Sequence, residues 1–121
     1  MQNFRDLKVW AKAHEVAVSI YTATEPFPAA ERFGLTSQMR RAAASVPSNI
    51  AEGCGRSSQA DLARFLHIAL GSASELDYLL LLARDLRLMN ERKHVELVGA
   101  VQEVKRMLAR LIARVKGDGP N

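Results

Sequence analysis

The sequence predicts an all-α fold, an antiparallel up-down-up-down four-helix bundle. Three observations carry that prediction. Apolar residues recur at three- and four-residue spacing in four separate stretches. No stretch shows the sustained period-two alternation of a half-buried strand. The joints between stretches are short and marked by Pro, Gly, Ser or Asn, which favours antiparallel neighbours. With 121 residues, 48% of them hydrophobic, the chain can bury a core of its own and does not read as intrinsically disordered. One bundle domain is expected over residues 1–116, followed by a flexible tail at 117–121.

The first helix is expected from about Arg5 to Thr24, on the spacing of Leu7, Trp10, Ala13, Val16, Ala17, Ile20 and Tyr21. Pro26 and Pro28 end it, because proline has no N–H with which to continue the helix. A short helical turn fits residues 29–33. The second helix is expected to start near Thr36 as N-cap and carries the stripe Leu35, Met39, Ala43, Val46, Ile50 and Cys54. Pro47 lies inside it and is predicted to kink or break it. The third helix, capped by Ser57 or Ser58, is expected to reach about Leu88. Its apolar set, Leu62, Phe65, Leu66, Ala69, Leu70, Ala73, Leu76, Leu79, Leu80, Leu82, Ala83 and Leu86, is wider than one stripe. That width predicts a homo-oligomer, the surplus being covered by another subunit. Asn90 caps the fourth helix, with Val95, Val98, Val101, Val104, Leu108, Leu111, Ile112 and Val115 as its apolar positions. Gly71 and Gly99 lie inside helices, explained either by close backbone approach or by simple tolerance.

A single cysteine, Cys54, excludes an internal disulfide and suits a reducing, cytoplasmic setting. Arg5, Asp6 and Lys8 interrupt any signal-peptide core. The longest strongly apolar run, Leu79–Ala83, falls far short of the ~20 residues of a membrane span, so no membrane partner is expected. The glycine-rich phosphate loop, the Gly-x-Ser-x-Gly elbow and the His-Glu-x-x-His zinc motif are all missing. Glu91 and His94 have Glu-x-x-His spacing, but a di-iron bundle needs two such pairs and two more carboxylates. His14 and His67 lack ligand spacing and read as surface or interface imidazoles. Cys54 has glycines and Arg56 nearby, a setting that lowers a thiol pKa, yet no base or resolving cysteine accompanies it. No catalytic residue, metal or cofactor is therefore expected.

The net charge of +4 is unevenly placed. Residues 1–83 carry eight basic and eight acidic side chains, whereas residues 84–116 carry nine basic and four acidic. Arg106, Arg110 and Arg114 share one helix face, with Gln102 at its head; Arg5, Lys8 and Lys12 form a shorter basic row on the first helix. Such rows suit phosphate neutralisation, or else simply solubilise the surface. No aromatic residue is expected to interleave these rows on their helix faces, so contact to phosphate is favoured over base stacking. On the second helix Gln38, Arg41, Ser45, Asn49, Glu52 and Arg56 form a polar stripe beside the apolar one. Arg41, Ser45, Asn49 and Glu52 are expected to form a structural network around Pro47.

Several stretches together resemble a known family: Phe4–Trp10 (FRDLKVW), Phe33-Gly34-Leu35 followed by Gln38–Ala42 (QMRRA), Ser45–Gly53 (SVPSNIAEG), Arg64-Phe65-Leu66, and Gly71-Ser72 leading to Glu75-Leu76. They closely resemble the four-helix-bundle proteins of the 23S rRNA intervening-sequence family, itself similar to the accessory variability determinants of retroelements. The resemblance implies a small bundle assembled into a ring, typically a homopentamer; in the retroelement relatives the ring engages nucleic acid and a reverse transcriptase. The expected function is a non-enzymatic ring that binds RNA or DNA through Lys8, Lys12, Arg106, Arg110 and Arg114. The alternative is a protein-interaction scaffold whose charge serves solubility.

Overall fold

The computed structural model describes residues 2–117, and the expected tail lies outside them except for Gly117. Four helices make up the fold: α1 (Lys8–Thr24), α2 (Leu35–Cys54), α3 (Gln59–Asp85) and α4 (Glu91–Val115), with no strand among the described residues. Packing is cyclic, with α1 against α2 and α4, and α3 against α2 and α4. Cross-helix contacts run antiparallel throughout. Arg40 reaches Thr24 and the N–H of Gln2 meets the Cys54 carbonyl; Ser45 meets Ser72; His94 meets Leu80; Lys12 meets Glu103.

The helix ends differ from the expected ones, each for a local reason. α1 begins at Lys8, because residues Phe4–Asp6 form a separate 3-10 turn capped by Asn3, whose Oδ1 accepts the Arg5 N–H at 3.0 Å. Leu7 is extended and parts the two. α2 begins at Leu35, and Thr36 is not its cap. The side chain that satisfies its first N–H is Glu31, whose Oε1 accepts from Leu35 at 3.0 Å. Ser58 caps α3 through the Asp61 N–H at 3.1 Å, and Asn90 caps α4 through the Lys93 N–H at 2.8 Å.

α3 stops at Asp85, short of Leu88. The Leu88 N–H bonds the Ala83 carbonyl and the Arg87 N–H bonds the Arg84 carbonyl, both at 2.9 Å, which closes the helix in a Schellman motif. The motif needs a left-handed residue, and Arg87 (φ 61°) fills the place where glycine is usual. α2 stays helical through the buried Pro47, so the expected break does not occur.

One core joins all four helices. Ile20, Met39, Ile50, Leu66, Leu76, Leu80, Leu97 and Leu108 are fully enclosed in it. The breadth of α3 is absorbed mainly inside the single chain: nine of its twelve expected apolar residues are buried, Leu70 and Leu82 are half-buried, and only Leu86 is exposed. Two helical neighbours need two apolar faces, so α3 carries both. By length and apolar content α3 meets the requirement for crossing a membrane, which its short uninterrupted apolar run conceals. In the bundle its apolar residues line the core instead. Within α3 and α4 the large apolar residues left exposed are Ile68, Tyr78, Leu81 and Val95; Val18 and Tyr21 on α1, Phe33 before α2 and Leu86 after α3 are exposed as well.

Glycine roles sort by space. A Cβ on Gly53 would sit 2.9 Å from the Phe65 Cβ and 3.1 Å from Leu62 Cδ1, so α2 and α3 meet here only because residue 53 has no side chain. Gly71 and Gly99 face nothing within 4 Å, and close approach within the chain does not account for them. Gly53→Ala is expected to lower stability by about 1–3 kcal/mol through overpacking. Gly71→Ala is expected to raise it by about 1 kcal/mol through helix propensity. Thermal unfolding of the two variants checks both signs.

Candidate nucleic-acid interface

Because α1 and α4 are antiparallel, the start of α1 lies beside the end of α4. Lys8, Arg110 and Arg114 line one hollow of about 340 Å3 with Asp6, Met107 and Leu111. Arg106 is exposed one turn back along α4. None of these four cations makes an ion pair among the described residues. Lys12 is different: its Nζ lies 3.8 Å from Glu103 Oε2, so its charge is already offset across α1 and α4. Gln102 does not head the row. It turns to α3 and hydrogen-bonds Asp77, which Lys105 also approaches at 3.4 Å. Arg84 pairs with Asp85 and Lys93 with Glu96, whereas Arg106, Arg110 and Arg114 toward the end of α4 pair with no acid among the described residues.

Aromatic rings gather near the chain start, beside Arg5 of the short basic row. The guanidinium of Arg5 lies 4.5 Å over Phe4, Phe4 meets Trp10 at 4.9 Å, and Trp10 stacks on His14 at 5.1 Å. Trp10 is half-buried and packs against the core, and His14 is exposed. Phe65 is buried between α2 and α3, with Arg56 and Arg64 over its ring at 4.7 and 4.5 Å.

The polar stripe on α2 divides into separate contacts. The Asn49 amide donates to the Ser45 carbonyl at 2.8 Å and to its Oγ at 2.9 Å. Ser45 Oγ in turn meets Ser72 Oγ at 2.8 Å, which links α2 to α3. Glu52 instead pairs with Arg56 one turn along, at 3.0 Å. Arg41 joins neither, and lines the surface near Phe33, Ser37 and Ser48. Ser72 is the member that sequence spacing missed. The signal for it is a hydroxyl on α3 placed where an antiparallel α2 would set Ser45.

The remaining candidates have structural settings. His94 is buried with Nδ1 3.1 Å from the Leu80 carbonyl. Among the described residues no group of three His, Cys, Asp or Glu side chains can hold a metal. Cys54 is buried, and burial pushes its thiol pKa up, opposite to the lowering expected from Arg56.

A family model described as 23S rRNA-intervening sequence protein matches residues 5–110. The chain belongs to that family. Within it, the helices α1 to α3 and all but the last turn of α4 fall inside the matched range. The fold also matches a crystal structure from Bacteroides thetaiotaomicron, described as a protein with unknown function from the S23 ribosomal protein family. The two share 27% identity and a TM-score of 0.78 over 86% of this chain and 97% of the other. No curated protein matches.

Two outcomes are expected for these side chains. Asn49→Ala removes both bonds to Ser45 and should cost about 1–2 kcal/mol, read as a lower midpoint in urea. Cys54 should react with iodoacetamide far more slowly in native protein than in denaturant, since the buried thiol is held protonated. Equal rates would contradict that.

Proposed function

We propose that the protein is a non-enzymatic homo-oligomeric ring, pentameric like the retroelement accessory proteins it resembles, that binds RNA or DNA through phosphate contacts. The carrying observation is the convergence of Lys8, Arg110 and Arg114 on one hollow, unpaired among the described residues, with Arg106 extending the row. Unpaired guanidinium groups suit bidentate contact with phosphate, and a ring repeats the cluster once per subunit. Lys12 contributes only by exchanging Glu103 for a phosphate. The family's name links it to 23S rRNA, which accords with a nucleic-acid partner. A cytoplasmic location fits the free Cys54.

Assembly is supported by the apolar surface of α3 and α4. Tyr78, Leu81 and Val95 are 57%, 40% and 61% exposed. Leu81 lies one turn from Asp77, and Val95 two turns from Gln102, on the faces where those two residues touch. A second reading, a scaffold for a protein partner without nucleic acid, draws on this same patch.

In light scattering the mass should be five times the 13.4 kDa chain. Leu81→Glu should reduce it. Binding to short RNA and DNA should weaken steeply with salt, and Arg110→Glu with Arg114→Glu should remove about 1–2 units from the log–log salt slope at unchanged oligomer mass. Absence of binding at ~50 mM salt would favour the scaffold.

A further inference from the structure

Phe33 is 90% exposed, the most exposed of the large apolar residues. It stands in the connection before α2, on the rim of a groove of about 730 Å3 whose walls include Tyr21, Arg32, Ser37, Arg40, Arg41 and Ser48. That volume is in the range of small-molecule sites, about 300–1,000 Å3. No carboxylate lines the groove. Three acids lie close by: Glu25 sits 3.6 Å from Arg40 of the groove wall, Glu31 caps the Leu35 N–H, and Glu75 lines an adjoining hollow with Phe33 and Arg41.

The three arginines have different standing. Arg40 is anchored, its Nε donating to Thr24 Oγ1 at 2.8 Å and its Nη2 to the Tyr21 carbonyl at 3.2 Å, with the guanidinium 4.8 Å over the Tyr21 ring. Arg32 lies 5.4 Å from the Phe33 ring centre. Neither Arg32 nor Arg41 has an ion-pair partner among the described residues. At the groove wall the buried hydroxyl of Thr36 has no hydrogen-bond partner among the described residues.

An exposed ring, unpaired guanidinium groups and several hydroxyls on one concave surface call for a ligand with a flat π face and an anionic group. An apolar partner would leave the arginines unsatisfied, and a plain anion would leave Phe33 unused. We propose that the α1–α2 groove binds a nucleotide unit, its base stacked on Phe33 and its phosphate held by Arg32 and Arg41 with the Ser37 and Ser48 hydroxyls. The unit comes either as a free nucleotide or as one residue of a single strand. The groove is separate from the hollow at Lys8 and Arg110, and neither depends on the other.

The test uses the full chain and two probes, 2-aminopurine riboside monophosphate and a ten-nucleotide single strand carrying one 2-aminopurine. Binding should quench the fluorescence of the base. Phe33→Tyr should preserve the quench, and Phe33→Leu should weaken affinity about tenfold. Because Phe33 is so exposed, Phe33→Leu should leave thermal unfolding unchanged. Arg41→Glu should weaken both probes. Quenching of the free monophosphate identifies a nucleotide site, and quenching of the strand alone identifies a single-strand site. Arg110→Glu with Arg114→Glu should leave the Phe33-dependent quench in place, so failure of the α4 surface and failure of this groove are read separately. Equal affinity of wild type and Phe33→Leu, or no quench with either probe, overturns the proposal. So does a Phe33→Leu variant whose only change is a lower oligomer mass, which would seat the ring against a second copy.

Discussion

The double burial of α3 governs the bundle. This helix must hide apolar side chains from two neighbours at once, with Leu66 and Leu80 fully enclosed and its flanks closed by α2 and α4. Once it is sandwiched, the short joints force its neighbours to run against it, and α1 has one remaining place, between α2 and α4. That closure brings residue 8 beside residues 110 and 114, which are about a hundred positions away along the chain. The cationic hollow is thus a product of core packing, with the core residue Val9 among its lining.

The elements were legible because helical periodicity survives in every stretch and because Ser58 and Asn90 are strong N-cap residues. The ends that sequence missed depend on less regular chemistry. Arg87 adopts a conformation in which glycine is the ordinary choice, so nothing in the residue type marks the stop of α3. Glu31 caps α2 from the preceding turn, four positions before the N–H it serves. Pro47 removes one backbone bond, and the buried packing around it keeps α2 continuous.

The candidate sites were legible as rows and illegible as pairings. Arg110 and Arg114 follow from spacing alone. That Lys12 is offset by Glu103, and Lys105 by Asp77, depends on which helices become neighbours. Partly exposed surface pairs of this kind add little to stability, but they redistribute the field, leaving Lys8, Arg106, Arg110 and Arg114 without a pair among the described residues where α1 begins and α4 ends. The exposure of Phe33 is illegible in sequence for a related reason. In a connecting segment its exposure is set by the chain path, and no periodic pattern records it.

The hydroxyl pair of Ser45 and Ser72 has a use beyond its modest energy. Buried contacts between α2 and α3 are largely apolar, and apolar faces alone resist a slip of one turn, about 5.4 Å, only weakly. Such a slip would carry Ser45 off Ser72 and break the hydroxyl bond between the helices. It would also move Gly53 away from Phe65, replacing the one gap that admits that side chain with an ordinary residue. The two features act as a vernier, accepting one alignment of α2 on α3 and rejecting its nearest neighbours.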